Sequence, residues 1–408
     1  LSDETPINIH NVIKEPPNYL LKKWEWSENK LPSISKNKIF SLKNNKYYSF
    51  SQIILILLSN PSIASKSWVY RQYDSQVQLN TVFKPGEADA ALIRLRGQNE
   101  KNKNIKFSGV AASVDCNSRW VLLDPYRGSI AAVAESARNV SCTGAEPIAI
   151  TNNLNFSSPD TEIGYWQLSS SCDGISKACI ALETPVTGGN VSLYNESKNN
   201  NNKVTPINPT PVIGMVGTIK DVDQAVSSGW KNINDQIWII GSNSSESTIC
   251  ASSYLEYFHG LVSGRPPKIN LQDEKSCQSF VREAILKNYI ESSHDVSDGG
   301  LAVALSECCI LSSKGANIQL EGKNKREDSL LFSEGGSRII FSLNKKEEQN
   351  FLNFLKVNNK KFSVDVYVKK IGFVSAENLN ITFQDRQLCN LRVDDLTEKF
   401  NNSISSCF

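Results

Sequence analysis

The stretch best suited to chemistry runs from Thr184 to Glu196 and reads Thr-Pro-Val-Thr-Gly-Gly-Asn-Val-Ser-Leu-Tyr-Asn-Glu. Gly188 and Gly189 follow a strand-like Pro185-Val-Thr, and paired glycines let a backbone approach a ligand closely because no Cβ intervenes. Asn190 and Ser192 add neutral oxygens beside them. Mg²⁺ takes hard oxygen ligands, keeps waters and bridges substrate phosphates, so an Asn carbonyl next to a nucleotide is chemically sensible. The same residues would also make a Gly-Gly hairpin turn, with Asn and Ser in turn roles.

Three further stretches carry polar side chains at strand ends. Ser293-His-Asp-Val-Ser-Asp-Gly-Gly-Leu301 offers a helix start whose uncovered N–H groups suit an anion. Asp295 and Asp298 would repel phosphate there unless a cation sits between; a capped helix beside a tight turn is the plainer alternative. Asp115 closes a strand, and Arg127 precedes a small-residue helix. An acid for metal and an arginine for phosphate is one reading, and a solvated loop with a surface ion pair is the other. Asn152 to Phe156 (Asn-Asn-Leu-Asn-Phe) ends one more strand. Four polar rims on one α/β scaffold point to a nucleotide-type pocket.

The elements that must hold these rims follow from periodicity. Residues 110–114, 120–123, 147–151, 211–219 and 236–240 read as strands, and 338–343 and 364–368 as later ones. Residues 129–142 place Ile130, Val133, Ala137 and Val140 on one helical face, and Leu168, Cys172, Ile175, Cys179 and Leu182 mark a second helix. Short helices are expected from Ser49 and from Leu301. The Asn-rich residues 197–203 read as a loop, and the Pro-rich residues 1–40 as a linker or the tail of a preceding domain. Together these give an α+β or mixed α/β class with units at 41–220 and 221–408.

Composition narrows the partners. The chain has 408 residues, 40% hydrophobic and 21% charged, enough for two sizeable cores. Forty-four Lys and Arg against 42 Asp and Glu leave a formal charge of +2, which argues against nucleic acid as a partner. The longest aliphatic run, residues 53–58, is far short of the ~20 residues a membrane span needs. Ten cysteines contain no Cys-x-x-Cys, and the three histidines are far apart, so neither a zinc site nor a disulfide framework is expected. Reduced thiols fit a cytoplasmic protein. The chain starts at Leu1 and its one methionine is Met215, so it is expected to be the C-terminal piece of something longer.

Several motifs occur in a specific order: Asp115-Cys-Asn-Ser-Arg, Asp124-Pro-Tyr-Arg-Gly, Thr143-Gly-Ala-Glu-Pro-Ile-Ala-Ile-Thr, Leu154-Asn-Phe, the Gly188 run, Pro211-Val-Ile-Gly-Met-Val-Gly and His294-Asp-Val-Ser-Asp-Gly-Gly-Leu. With Pro61 to Asp74 and Asn80-Thr-Val upstream, they resemble the C-terminal half of the phosphoribosylformylglycinamidine synthase family, small-type synthetase subunit. The resemblance covers nearly the whole chain.

That resemblance implies a PurM-like ATP-binding domain followed by a PurM-like C-terminal α/β domain, the second pair of a duplicated architecture. It implies an ATP-dependent carbon–nitrogen ligase of purine biosynthesis. Formylglycinamide ribonucleotide is converted to the amidine with glutamine-derived ammonia. The implied cofactors are ATP and Mg²⁺. The implied partners are the missing N-terminal half, a glutaminase subunit and a small accessory subunit, with no nucleic acid and no membrane. Residue by residue, the family's ATP-contacting glycine matches Gly189, its Mg²⁺-binding asparagine Asn190 and its substrate-contacting serine Ser192. A second ATP contact, usually Asp, is Asn152 here, which keeps an acceptor, adds a donor and loses the charge. The family's catalytic histidine belongs to the first half. The matching stretch here, Asp115-Cys-Asn-Ser-Arg, has none, so no catalytic residue is expected in this chain. Two alternatives remain open: a non-catalytic nucleotide-binding scaffold, or another ATP-using PurM-like synthetase.

Overall fold

A computed structural model describes residues 16–96, 106–198, 204–322, 326–358 and 365–407. The first described residues are packed against the body of the chain. Helix α1 (Asn18–Trp24) buries Leu20 against Trp120, Leu123 and Trp166. Trp24 donates its indole N–H to the carbonyl of Leu123 at 2.8 Å, and the Arg265 guanidinium lies 4.1 Å from its ring centre. A linker reading therefore fails for residues 16–40, while residues 1–15 lie outside the described residues.

A hairpin of β1 (Lys38–Ser41) and β2 (Lys46–Ser49) leads into α2 (Phe50–Leu58). Ser49 caps that helix and Gln52 returns the bond to the Ser49 backbone, a reciprocal cap that fixes the helix start. Phe50, Ile53, Ile54, Leu57 and Leu58 are buried with Ile237, Leu301, Ile310 and Leu396. The expected unit at 41–220 put this helix with the first sheet; its apolar stripe instead completes the core of the second. Sequence distance hid this, because α3 (Ser67–Tyr70) and the loops around it carry the chain back across.

The first sheet joins β3 (Thr81–Phe83), β4 (Ala91–Arg94), β5 (Gly109–Asp115), β6 (Glu146–Asn155), β7 (Val186–Ser192) and β10 (Thr210–Ile219). A separate ribbon, β8 (Glu196–Lys198) with β9 (Val204–Pro206), lies between β7 and β10 in the chain; the rest of the Asn-rich loop falls outside the described residues. The spatial order is β3-β4-β5-β10-β6-β7, antiparallel except for the β6–β7 pair. One face is covered by α5 (Pro125–Cys142) and α6 (Glu162–Leu182), which bury Val133, Ala137, Val140, Ile175 and Ala178 against Ile150, Ile213 and Met215. Residues 120–123, expected as a strand, belong to helix α4 (Ser118–Leu123). The Asn117 side chain caps it by accepting from the Trp120 N–H, and a cap overrides the β-branched, aromatic local preference.

The second sheet has seven strands in the order Ser292–Asp295, Ile339–Leu343, Gln236–Ser242, Val366–Ser375, Gly315–Leu320, Asn378–Phe383 and Arg386–Arg392. Gln236–Ser242 is buried along its whole length, as a central strand covered on both faces should be. Helices α7 (Leu271–Leu286) and α8 (Gly300–Ser312) pack with it, α7 in the core around Trp238, Ile240, Phe280 and Phe341 and α8 in the core shared with α2. Among the described residues no helix is long and apolar enough to cross a membrane.

Candidate nucleotide-binding site

The Gly-Gly stretch is a strand and not a turn. In the parallel β6–β7 pair Asn152 lies opposite Gly189, Asn153 opposite Asn190, and Asn155 opposite Ser192. Thr151 Oγ1 donates to the Gly188 carbonyl at 3.1 Å, which pins the ladder beside the bulge after Ile150. So all four expected site residues, Asn152, Gly189, Asn190 and Ser192, share one short window of two neighbouring strands.

Period-two alternation then divides them. Asp115, Ile213, Asn152 and Gly189 form one row across four strands on the helix-covered face. A Cβ at Gly189 would lie 3.0 Å from the Asn152 carbonyl oxygen and 3.1 Å from its Cγ, and closer still to its Oδ1. Gly189 is therefore a glycine because the Asn152 side chain occupies that place, whereas Gly188 has open space around it. A groove of about 480 Å³ opens beside Asn152, between β7 and α6, lined by Cys172, Ile175, Cys179, Ile180 and Val186.

Asn190 and Ser192 belong to the opposite, uncovered face. Asn190 is exposed and makes no hydrogen bond among the described residues, while Ser192 Oγ donates to Asn195 Oδ1 at 3.3 Å. Asn190 shares a row with Asn153 and Val212. This face also carries Val114, 71% exposed, and Ile93, 49% exposed. Exposed apolar side chains on an open sheet face mark a surface suited to be covered.

The second polar rim is a buried, acid-rich junction between the two sheets. Arg138 on α5 places Nε 2.7 Å from Asp295 and Nη1 2.9 Å from Glu274. Asn139 donates to both carboxylate oxygens of Asp115 at 3.1 and 3.2 Å. Burial pushes the Asp115 carboxyl up to about 7, and nearby Asp295 adds to the rise. Glu135 is raised for the same reasons, by burial and then by Asp115 and Asp295. One arginine serves these carboxylates, so protons or a cation make up the balance. Asp295 and Asp298 are themselves ion-paired within the protein, Asp295 with Arg138 at 2.7 Å and Asp298 with Arg119 at 3.5 Å. Periodicity concealed Glu135, Arg138 and Asn139, because it marked α5 only by its apolar face; charged residues on a helix made otherwise of small buried side chains were the available signal.

The remaining candidates are structural. Asn117 caps α4 and donates to Asp298 at 3.0 Å. Arg119 is buried on Glu256, Ser253 and the Ala251 carbonyl. Arg127 holds Glu246 at 3.1 Å, the surface ion pair of the plainer reading. His294 is clamped between Asp89 at 2.6 Å and Glu307 at 3.1 Å, and those two carboxylates hold its imidazole protonated well above its ordinary range despite burial. Among the described residues, no three His, Cys, Asp or Glu side chains converge as metal ligands.

This arrangement of two layered units matches known proteins. Residues 87–219 fit the AIR synthase related protein N-terminal domain and residues 232–368 its C-terminal domain. The chain belongs to the AIR synthase related family. Its PurM-like fold class is thereby shown, an N-terminal domain followed by a C-terminal α/β domain. Within the family it is 84% identical over 408 residues to the phosphoribosylformylglycinamidine synthase subunit PurL of Prochlorococcus marinus subsp. pastoris. It is 50% identical over 413 residues to PurL of the NATL1A strain. The chain spans about half the length of these relatives, 52% and 51% respectively. Among solved structures it is similar to T. maritima PurL complexed with FGAR, with a TM-score of 0.63, 16% identity, and 85% of this chain and 53% of that one covered. T. maritima PurL complexed with ATP gives a TM-score of 0.54 at 17% identity, covering 71% of this chain and 44% of that one. These distant likenesses bear on the fold.

Proposed function

We propose that this chain is the C-terminal half of a phosphoribosylformylglycinamidine synthase subunit, an ATP-dependent carbon–nitrogen ligase of purine biosynthesis acting in the cytoplasm. The observation that carries the reading is the identity to PurL subunits over the entire chain, 84% in the first relative. The β6–β7 register brings the residues of this reading onto two neighbouring strands, Asn152 and Gly189 on one face and Asn190 and Ser192 on the other. Asn152 and Gly189 would take the ATP, Asn190 a Mg²⁺ ion and Ser192 the substrate, formylglycinamide ribonucleotide. A single neutral oxygen such as Asn190 Oδ1 fits Mg²⁺, which completes its shell with phosphates and water. ATP supplies the phosphoryl group that activates an amide oxygen; the residues of this chain would position it.

The outer face that bears Asn190, with Val114 and Ile93 exposed on it, is where the missing N-terminal half would dock, making the site composite. The acid–base group would come from that half, since Asn117 and Arg119 are spent on capping and buried ion pairing here. A glutaminase and a small accessory subunit are the further partners, in line with the PurLQS assembly solved from T. maritima.

The test assays the purified chain with ATP, Mg²⁺, ammonium and formylglycinamide ribonucleotide, alone and after adding the N-terminal half. No turnover alone, self-association alone, and turnover on reconstitution are expected. A positioned acid–base group is worth ~10²–10⁴ in rate, so its absence is easily read. Turnover by the chain alone, or a monodisperse monomer, overturns the composite site.

A further inference from the structure

The second sheet holds a cavity of about 450 Å³ that none of the residues above accounts for. Its floor is the sheet itself at Ile239 and Ile371, and its polar rim includes Ser247, Arg338, Tyr367 and Lys369. Arg338 is 6% exposed. Its Nε donates to the Gly335 carbonyl at 2.9 Å and its Nη2 to the Ser333 carbonyl at 2.5 Å. No carboxylate lies within ion-pair distance of it among the described residues. Burial disfavours its charge most; Tyr367 supports it, Arg138 opposes it, and Asp295 and Glu334 act on it from beyond ion-pair distance.

A buried guanidinium without a counter-anion is costly, because backbone carbonyls solvate the group but do not neutralise it. The cavity's own carboxylates do not supply the missing charge. Glu321 is committed to Lys369 at 2.7 Å, and Glu246 to Arg127 at 3.1 Å and to the Lys268 N–H at 2.8 Å. Arg338 is therefore the cation of the cavity lining without a carboxylate at ion-pair distance among the described residues.

The surroundings are shaped around this side chain. A Cβ at Gly241 would meet the Tyr367 hydroxyl at 2.7 Å and Arg338 Cγ at 2.9 Å. A Cβ at Gly336 would meet Ser247 Cβ at 3.2 Å and Arg338 at 3.3 Å. Gly335 and Gly336 both have positive φ, +85° and +82°, so the loop wraps the guanidinium in a conformation L side chains rarely adopt. The Tyr367 and Ser247 hydroxyls make no hydrogen bond among the described residues and are free to donate.

We infer that this cavity, with Arg338, Tyr367 and Ser247 as its donors, is a second ligand site of the chain that takes a small phosphate monoester. Arginine matches the planar, multi-oxygen phosphate group, and two hydroxyls add donors on one side. The apolar wall at Leu301, Leu320 and Leu330 would accept the organic part of the ester. The site is separate from the Asn152–Gly189 rim and does not depend on the function proposed there.

The experiment titrates glycerol 3-phosphate, inorganic phosphate and acetate into the whole chain by calorimetry, with thermal melting in parallel. Glycerol 3-phosphate should bind and raise Tm. Arg338→Gln should abolish binding, and Tyr367→Phe and Ser247→Ala should each weaken it about 10- to 150-fold, the loss of one hydrogen bond to a charged group. Tyr367→Phe and Ser247→Ala keep the test open should Arg338→Gln not fold, since neither removes a bond that the protein itself uses. Acetate binding as tightly as glycerol 3-phosphate overturns the phosphate class. Absence of binding in the folded wild-type chain, or unchanged binding in a folded Arg338→Gln or in the Tyr367→Phe, Ser247→Ala double variant, overturns the site.

Discussion

Replacing Gly189 by Ala separates a strand position from a ligand position. The added Cβ falls 3.0 Å from the Asn152 carbonyl oxygen and on the Asn152 amide itself, so the Asn152 side chain must turn away. Holding it ~30° off its rotamer costs ~0.5–1.5 kcal/mol. Ala in place of Gly in a strand recovers ~0.5–1 kcal/mol of backbone entropy. These nearly cancel, so net stability should change by less than ~1 kcal/mol, a shift of about 2–4 °C or less. Nucleotide binding has no such compensation: loss of one hydrogen bond from Asn152 removes ~0.5–1.5 kcal/mol, or about 2- to 12-fold in Kd. Val should be worse, since its branched Cβ crowds Asn152 further. Gly188→Ala is the internal control, because no heavy atom lies within 4 Å of its would-be Cβ. The assay is calorimetric titration of ATP into the complete subunit, with melting curves for each variant. Equal losses at both glycines, or unchanged affinity in a folded Gly189→Ala, would refute the claim that Asn152 and Gly189 act as a pair.

Three more outcomes are expected. Asn190→Ala should leave Tm unchanged within ~0.5 kcal/mol, as an exposed side chain without a partner should, yet weaken the magnesium dependence of turnover in the complete enzyme; an unaltered magnesium titration would remove Asn190 as a ligand. His294→Ala leaves the buried Asp89 without its cation, so thermal unfolding should show a loss of about 3–5 kcal/mol, and a near-neutral melt would show that the Asp89–His294–Glu307 clamp is unimportant. Asp115 titrates near 7 folded against 3.8 for an ordinary Asp, so the folded state binds the extra proton between those values, and stability falls as pH rises through that window, levelling above about 7. Asp115→Asn should therefore match wild type near pH 4 and melt progressively higher than it from pH 5 to 7.5; a pH-independent difference in Tm would contradict the assignment.

Much of the site was legible because its residues lie on a local pattern. Gly188-Gly189-Asn190 and Ser192 sit within five residues, and a strand over 147–151, next to Asn152, was readable from the sequence. Register was not readable: only the parallel β6–β7 pairing puts Asn152 against Gly189, and a slip of one residue would exchange the two faces. The turn alternative for Gly188-Gly189 was the one that local spacing favoured, and it lost because β7 has a partner strand to complete its hydrogen bonds.

The sequence by itself determined the two mixed α/β units, the stripes of α5 and α6, and the family, through motifs whose order no single element requires. Tertiary structure decided everything that depends on residues far apart in the chain. Helix α2 joins the core of the second sheet although the chain places it before the first, because its apolar stripe finds its matching surface there. Arg138 comes from α5 and Asp295 from the second sheet, 157 residues later, so their buried pair exists only after the two units dock. The same docking lifts the Asp115 carboxyl, since burial and a neighbouring like charge arise from proximity in space. Local sequence fixes which side chains share a face; only the packed fold fixes what that face meets.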